Sequence, residues 1–466
     1  MKKKDIKIVI VGAGIAGISA AHHLYTNGFT NIQILEADCR TGGRIQTVPF
    51  NGKEDCQIEL GAQFIHGASK KNSVYKVAKR HNLLGGEVDW YQGIYATEDG
   101  HRIPQHIVMK TMDLAFDVED QLEEEFKRKY NLKGEDRNLY GYLNSRFVEL
   151  ALGFPADKQR DAKAVFNYFL SLMRFDNADN LKNLSSINFG QYVSVGDGED
   201  VSIKLGFRSV LDTLLKDLPK EVIHLNTPVS AIDWTGQEAV LSSIAGQKWA
   251  AHHVIVTCSL GYLKKHHKTL FTPELPLLKS QAIDKIGFGT VNKIFLYYKE
   301  PFWIKNEGSI RFAWTDDNYN IKDYKTEWFK AIHGFDELHN NDNVLMGSIV
   351  GDEGRFLEDL CKDEIKKVCT EQIRRFLNNP SIPEPTDVLT TKWFENKWTL
   401  GSYCYMTEES NESVRKDLNS PLYHLEQPVV LFAGEACHLT RFSTADGARS
   451  SGLDQAKFLV DLYRNK

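Results

Sequence analysis

Gly12-Ala13-Gly14-Ile15-Ala16-Gly17 has the spacing of a loop that wraps a pyrophosphate. Gly12 permits a tight turn, and Gly14 lets the backbone approach a phosphate. Ala16 belongs to the same cradle, and Gly17 lets the following helix pack closely on the preceding strand. Glu36 lies 19 residues past Gly17, close to the ~20 expected for an acid that binds ribose hydroxyls. Arg40-Thr41-Gly42-Gly43-Arg44 then sets a glycine pair between two arginines. Such a loop can fold over a pyrophosphate and add charge-assisted hydrogen bonds. These residue types predict a bound dinucleotide and leave NAD and FAD both open.

The motif needs a strand before it, a helix after it and a strand at the acid. Ile6 to Val11 is a β-branched run suited to a buried parallel strand. Ser19 to Asn27 reads as a helix punctuated by Gly28, and Ile32 to Leu35 as the second strand. Further strands are expected at Val222 to Trp234, Val254 to Thr257, Asn292 to Tyr298 and Val429 to Ala433. Helices are expected at Met109 to Tyr130, Lys362 to Leu377 and Ala448 to Tyr463. In the first of these, Met112, Phe116, Leu122, Phe126 and Tyr130 share a face, and Glu119, Asp120 and Glu123 to Glu125 read as a solvated one. The fold class is therefore α/β. A Rossmann-like nucleotide domain (1–84, 202–287 and 421–466) is interrupted by a discontinuous α+β substrate domain (85–201 and 288–420).

Composition removes several function classes. The net charge of −5 over 466 residues argues against a general nucleic-acid binder. Seven cysteines, none at C-x-x-C spacing, give neither a zinc site nor a disulfide framework, so no metal is expected. Lys2 to Lys4 and the apolar residues after them could pass for a signal peptide. Asp5, Lys7 and three glycines interrupt that run. No stretch has the roughly 18 uninterrupted apolar residues of a membrane span, and the C-terminal residues are not a Ser-Lys-Leu address. The expected compartment is cytoplasmic, with no membrane and no obligatory protein partner.

With the arginine-flanked glycines, the chain resembles the flavin-containing amine oxidases, the superfamily of monoamine oxidases, polyamine oxidases and lysine-specific histone demethylases. The resemblance implies FAD, with Glu36 on the ribose and Arg44 at the pyrophosphate. It extends through Thr227-Pro228-Val229, where the family's valine backbone holds adenine, and through Val254 to Gly261. It continues in Phe432-Ala433-Gly434-Glu435 and Ser443 to Ala448, the C-terminal flavin segment with Thr444 and Ala445. Glu59-Leu60-Gly61-Ala62-Gln63-Phe64-Ile65-His66-Gly67 resembles a motif of animal polyamine oxidases, with Phe64 replacing tryptophan.

Amine oxidation removes a hydride equivalent from the carbon beside nitrogen, so the reacting nitrogen must be neutral. Aliphatic amines have pKa values near ~10, and an apolar pocket with aromatic walls lowers them. Trp393 to Trp398 and Gly401 to Tyr405 resemble the family segment over the flavin. Trp393 joins the cofactor set, Trp398 stands where relatives carry one aromatic of a substrate-holding pair, and Tyr403 is a further substrate residue. Thr444 replaces the second aromatic and, with Ser443, is assigned to the substrate side. His66 is expected to hydrogen-bond or deprotonate the amine. Lys293 matches the family lysine that holds a water against flavin N5.

The departures matter equally. Asn183-Leu184-Ser185 matches a Glu-x-Ser stretch that contacts the distal amine in spermine oxidases, so Asn183 and Ser185 are expected at the substrate. Asp446 replaces a usual histidine, and its charge would oppose reduced flavin. Ser402 replaces the cysteine that carries FAD in monoamine oxidases, which implies noncovalent FAD. The expected activity is oxidation of spermine or N1-acetylated polyamines by O2. Two alternatives are an L-amino-acid oxidase using Arg311 or Arg441 and a non-catalytic FAD-binding protein.

Overall fold

The computed structural model describes residues 2–50, 53–128, 133–196, 198–338 and 341–464. Every position of Ile8–Val11 and His253–Val256 is buried. Strands covered on both faces cannot alternate polar with apolar residues, and both therefore read as nearly continuous apolar runs. They form the centre of a six-stranded sheet in the order Leu422–His424, Gln427–Phe432, His253–Val256, Ile8–Val11, Ile32–Leu35, Ile223–His224. All neighbours are parallel except the edge pair at Leu422–His424. Ile8 and Ile10 pack under helices Ile15–Thr26 and Ala445–Leu462. Val9 and Val11 face the other way, against Ile232 and Leu241 of a four-stranded sheet.

A second six-stranded sheet has the order Asp387–Thr390, Val291–Tyr297, Asn341–Val350, Gly334–Leu338, Ile310–Phe312, Ile94–Ala96. Ile294, Leu296 and Ile349 on one face pack with Ile365, Ile373 and Phe376 of helix Lys362–Phe376. Helices Gln105–Lys127, Leu139–Ala151 and Gln159–Asn177 build a separate core around Met112, Leu143 and Phe166.

Differences from the expected elements have local causes. The first helix starts at Ile15 rather than Ser19, because Gly14 is already its N-cap. The expected strand at 222–234 breaks into Ile223–His224 and Val229–Asp233, which join different sheets. Asn226 turns the chain with φ 50°, and Pro228 supplies no N–H. The acidic helix ends at Lys127, and Tyr130 lies outside the described residues. Strands Gly334–Leu338 and Asn341–Val350 were not anticipated.

The first and last helices meet at Gly452, where a Cβ would lie 2.2 Å from the Ala16 carbonyl oxygen. Gly452→Leu is expected to destabilise the fold by about 3 kcal/mol, read as a lower chemical-denaturation midpoint. An unchanged midpoint would show that the helices separate without cost.

Candidate active site

One cavity of about 710 Å³ runs from the glycine loop to the second sheet. At its first end, helix Ile15–Thr26 begins at Gly14 with no side chain capping it. Its first-turn N–H groups and positive dipole end are thereby left for an anion. A Cβ on Gly14 would meet nothing within 4 Å, so the cradle is open, and Gly42 bridges to it from the arginine-flanked loop. Gly12 has φ +107°, and a Cβ there would lie 2.6 Å from Thr257 Oγ1. Gly17 does not line the cavity. Its missing Cβ would lie 2.1 Å from the Gly12 carbonyl oxygen, so this glycine acts through packing. Glu36 is buried and accepts from Ala13 N at 2.6 Å and Asp38 N at 2.8 Å. Burial raises its pKa against those two hydrogen bonds. Ala16, Val229 and Thr227 line the same cavity.

The uncapped helix start, the open glycine cradle and the adjacent acid fit a dinucleotide. Arg44 donates to Glu435 Oε1 at 2.9 Å and to the Ser402 carbonyl at 2.6 Å. Gly61, Ala62, Trp393, Gly434 and Glu435 line the cavity with it. Trp393 Nε1 donates to the Leu60 carbonyl at 3.0 Å. Thr444 N-caps helix Ala445–Leu462 by accepting from Gly447 N at 2.9 Å. Ser443, with φ 65°, donates to the Cys404 carbonyl at 2.5 Å. Ser443, Thr444 and Ala445 all face the cavity.

His66 and Lys293 lie in the same cavity. The His66 side chain is 49% exposed, and the cavity it lines is where that exposure lies. Its Nδ1 is 2.7 Å from Asp200 Oδ2. Asp200 also accepts from Gly67 N at 2.9 Å and Trp90 Nε1 at 3.1 Å. Enclosure opposes charge on His66, but the Asp200 hydrogen bond and the Asp200 and Asp176 carboxylates outweigh it and raise its pKa. Lys293 Nζ donates to the carbonyls of Glu59 and Gly61 and to Gln63 Oε1, at 2.9, 2.8 and 2.8 Å. All three of its protons have protein acceptors, so a water can bind only by exchanging with one. Burial lowers the Lys293 pKa to about 8, against the pull of the Glu59 carboxylate.

Two further carboxylates line this cavity without a hydrogen bond or ion pair among the described residues. Glu119, expected on a solvated face, is pushed up to about 8 by burial and by the Asp176, Asp120 and Glu123 charges. Asp176 is exposed to the cavity, and enclosure by the surrounding walls pushes it up to about 6, with His66 opposing and Asp200 adding to the shift. Sequence reasoning missed Glu119, Asp176 and Asp200 because no motif surrounds them. The residue after Phe175 becomes meaningful only once helix Gln159–Asn177 is placed.

Several expected site residues stand elsewhere. Asn183 is exposed and donates to Asp179 Oδ1 at 3.2 Å. Ser185 is buried and caps Ser186–Phe189 by accepting from Asn188 N at 3.1 Å. Neither reaches the cavity; Leu184 between them does. Trp398 lines the cavity beside Tyr262, with ring centroids 6.2 Å apart, at the Ser259 and Thr257 end next to the glycine loop. Tyr403 lies nearer the carboxylates, its hydroxyl donating to the Phe175 carbonyl. Asp446 points away from the cavity, accepting from Ser73 N at 2.5 Å and pairing with Arg441. That pairing leaves the Asp446 charge compensated by Arg441. Among the described residues, no group of metal-ligating side chains gathers, and no helix is long and apolar enough to cross a membrane.

Residues 15–459 match the model of a protein family described as flavin containing amine oxidoreductase. A human protein named peroxisomal N(1)-acetyl-spermine/spermidine oxidase is 33% identical, over 98% of this chain and 95% of its own length. A probable polyamine oxidase 5 of Arabidopsis thaliana is 30% identical over 99% of both chains. A polyamine oxidase 1 of Zea mays is 25% identical over 99% of this chain and 91% of its own. Because the match runs through the segments that build both ends of the cavity, this chain belongs to the flavin-containing amine oxidoreductases and is a flavin-dependent amine oxidase.

Proposed function

We propose that the chain is an FAD-dependent polyamine oxidase acting on spermine or N1-acetylated polyamines. The products are an aminoaldehyde, a shortened polyamine and hydrogen peroxide. One observation carries the reading: Glu119, Asp176 and Asp200 line one cavity, where Asp176 is the charged neighbour of Glu119 and His66 that of Asp176 and Asp200. Crowded carboxylates repel one another and gain most from a flexible polycation. The names of the relatives carry the same substrate class.

Bound FAD supplies the hydride acceptor and passes the electrons on to O2. The protein's residues prepare the amine. With its Nδ1–H donated to Asp200, His66 turns Nε2 toward the cavity, where it accepts a proton or hydrogen bond from the reacting nitrogen. The carboxylates hold the other nitrogens as cations. Phe64 packs edge-on against Trp90 at 5.2 Å, and Trp90 in turn fixes Asp200. Lys293 keeps a positive charge beside the Glu59–Gln63 segment.

An amino-acid oxidase needs an arginine available to a substrate carboxylate. Arg311 is paired with Asp336 at 2.6 Å and Arg441 with Asp446, which favours the amine reading.

Noncovalent attachment is supported by Ser402, whose hydroxyl accepts from Val291 N at 2.8 Å and donates to the Val291 carbonyl at 2.9 Å. Cys404 is buried and does not line the cavity. Acid precipitation is expected to leave the pellet white and the supernatant yellow; colour retained in the pellet would refute noncovalent binding.

Cationic substrate favours the ionised carboxylates, so binding releases protons. Apparent affinity for spermine should weaken as pH falls through about 8 and again through about 6, as Glu119 and then Asp176 protonate. Protonation of His66 and of the amine acts in the same direction, so a variant must separate them. Asp176→Asn should raise KM for spermine about 10-fold and remove the lower step, with a smaller effect on kcat. An unchanged KM and pH profile would exclude Asp176 from substrate binding.

A further inference from the structure

The second sheet forms one wall of the cavity with alternate residues of a single face. Lys293 pairs with Ser348, Met346 with Asp336, and Arg311 with Gly334. Lys293, Ser348, Met346, Asp336 and Arg311 all line the cavity. Strands in a sheet are spaced by about 4.8 Å, so Arg311 stands three steps, roughly 14 Å, from Lys293. This end differs in charge from the helical wall that carries Glu119 and Asp176.

Arg311 is buried, holds Asp336 Oδ1 at 2.6 Å and donates through Nε to the Gln92 carbonyl at 3.1 Å. The pair is neutral as a unit, presenting a donor and an acceptor side by side. His333 lines the cavity next to it and is 5% exposed. Its ring is packed by Phe175 at 5.4 Å and Tyr168 at 6.2 Å. Its Nδ1 is enclosed without a partner, and its side chain makes no hydrogen bond to any described residue. Burial, opposed by Asp336 and aided by Arg311, pushes its pKa down to about 4, so the ring is uncharged at neutral pH. With Nδ1 enclosed, the neutral ring offers the cavity one polar atom, Nε2, as donor or acceptor according to its tautomer.

A terminal ammonium gains little here. The Arg311–Asp336 pair has no net charge to offer it, nor has His333, and the three carboxylates elsewhere in the cavity bind it better. A carboxylate is opposed by Asp336. A secondary amide is uncharged and brings one carbonyl acceptor and one N–H donor, the complement of this group. We propose that His333 and the Arg311–Asp336 pair form a subsite for an amide on the substrate chain and set the preference for acylated over free polyamines. This assignment rests on the polyamine reading above.

The test compares N1-acetylspermine with spermine in anaerobic flavin bleaching, using the full chain with its bound flavin. His333→Phe preserves the ring packing on Phe175 and Tyr168 but removes both polar atoms. It should lower the ratio of the bleaching rate constant over Kd for the acetylated over the free substrate about 10-fold, as expected for an unmade buried hydrogen bond. His333→Gln keeps a donor and an acceptor and should recover most of that ratio. Should His333→Phe fail to fold, the ratio in Arg311→Lys still decides, because that variant loses the planar fork and should shift it in the same direction. An unchanged ratio in soluble His333→Phe, or in Arg311→Lys, overturns the subsite while leaving the polyamine reading intact. Absence of bleaching by either substrate in the unaltered protein overturns both.

Discussion

Arg44 is where the segments of the cavity meet. Its guanidinium reaches Glu435, 391 residues away, and the Ser402 carbonyl, and it lies 5.8 Å from the Phe288 ring centroid. Its own carbonyl accepts from Ala62 N at 3.2 Å, so close to Gly61 that a Cβ there would lie 1.8 Å away. A buried carboxylate such as Glu435 is stable only when paired, and removing one partner of such a pair typically costs about 3–5 kcal/mol. The charge that suits a pyrophosphate therefore also ties the N-terminal loop to the C-terminal segment. Cofactor site and tertiary closure are one construction, which is why the cavity draws on such distant parts of the chain.

The cavity's charge is divided in space. The glycine-loop end offers helix N–H groups and Arg44 to an anion. The helical wall gathers Glu119 and Asp176 with no cation bonded to either, at a cost visible in their raised pKa values. The sheet wall is locally compensated, with Arg311 on Asp336 and Lys293 among carbonyl oxygens. Uncompensated acids persist in a folded protein when a ligand offsets their repulsion. That asymmetry speaks for a polyamine more directly than any single motif residue does.

The nucleotide half was legible because its constraints are local. Gly17 answers to a backbone clearance from Gly12 within one turn, Gly12 to its positive φ, and Ile32–Leu35 to burial on two faces. The substrate half was less legible because its carboxylates converge from separate elements. Glu119 sits in a charged run that periodicity alone assigns to solvent. Asn183 and Ser185 carried a motif resemblance, yet the backbone turns them into a surface contact and a helix cap. Asp446 looked exposed to the flavin only while its partners Ser73 and Arg441 were unknown. Residue type predicted chemistry well where spacing in the chain equalled spacing in the fold, and poorly elsewhere.

The wall formed by the second sheet has an implication for how this enzyme can diverge. Its side chains alternate between the cavity and the core beneath helix Lys362–Phe376, with Ser348 on the first side and Ile349 on the second. Selection can therefore revise the outward positions one at a time while the inward ones keep the sheet packed. Changes along Met346, Ser348 and Asp336 would redraw the outline of acceptable molecules without renegotiating the architecture. The helical wall lacks that separation, since Phe116 and Phe175 both line the cavity and pack against the helical core. New substrate ranges in this lineage should accordingly arise from the strands first.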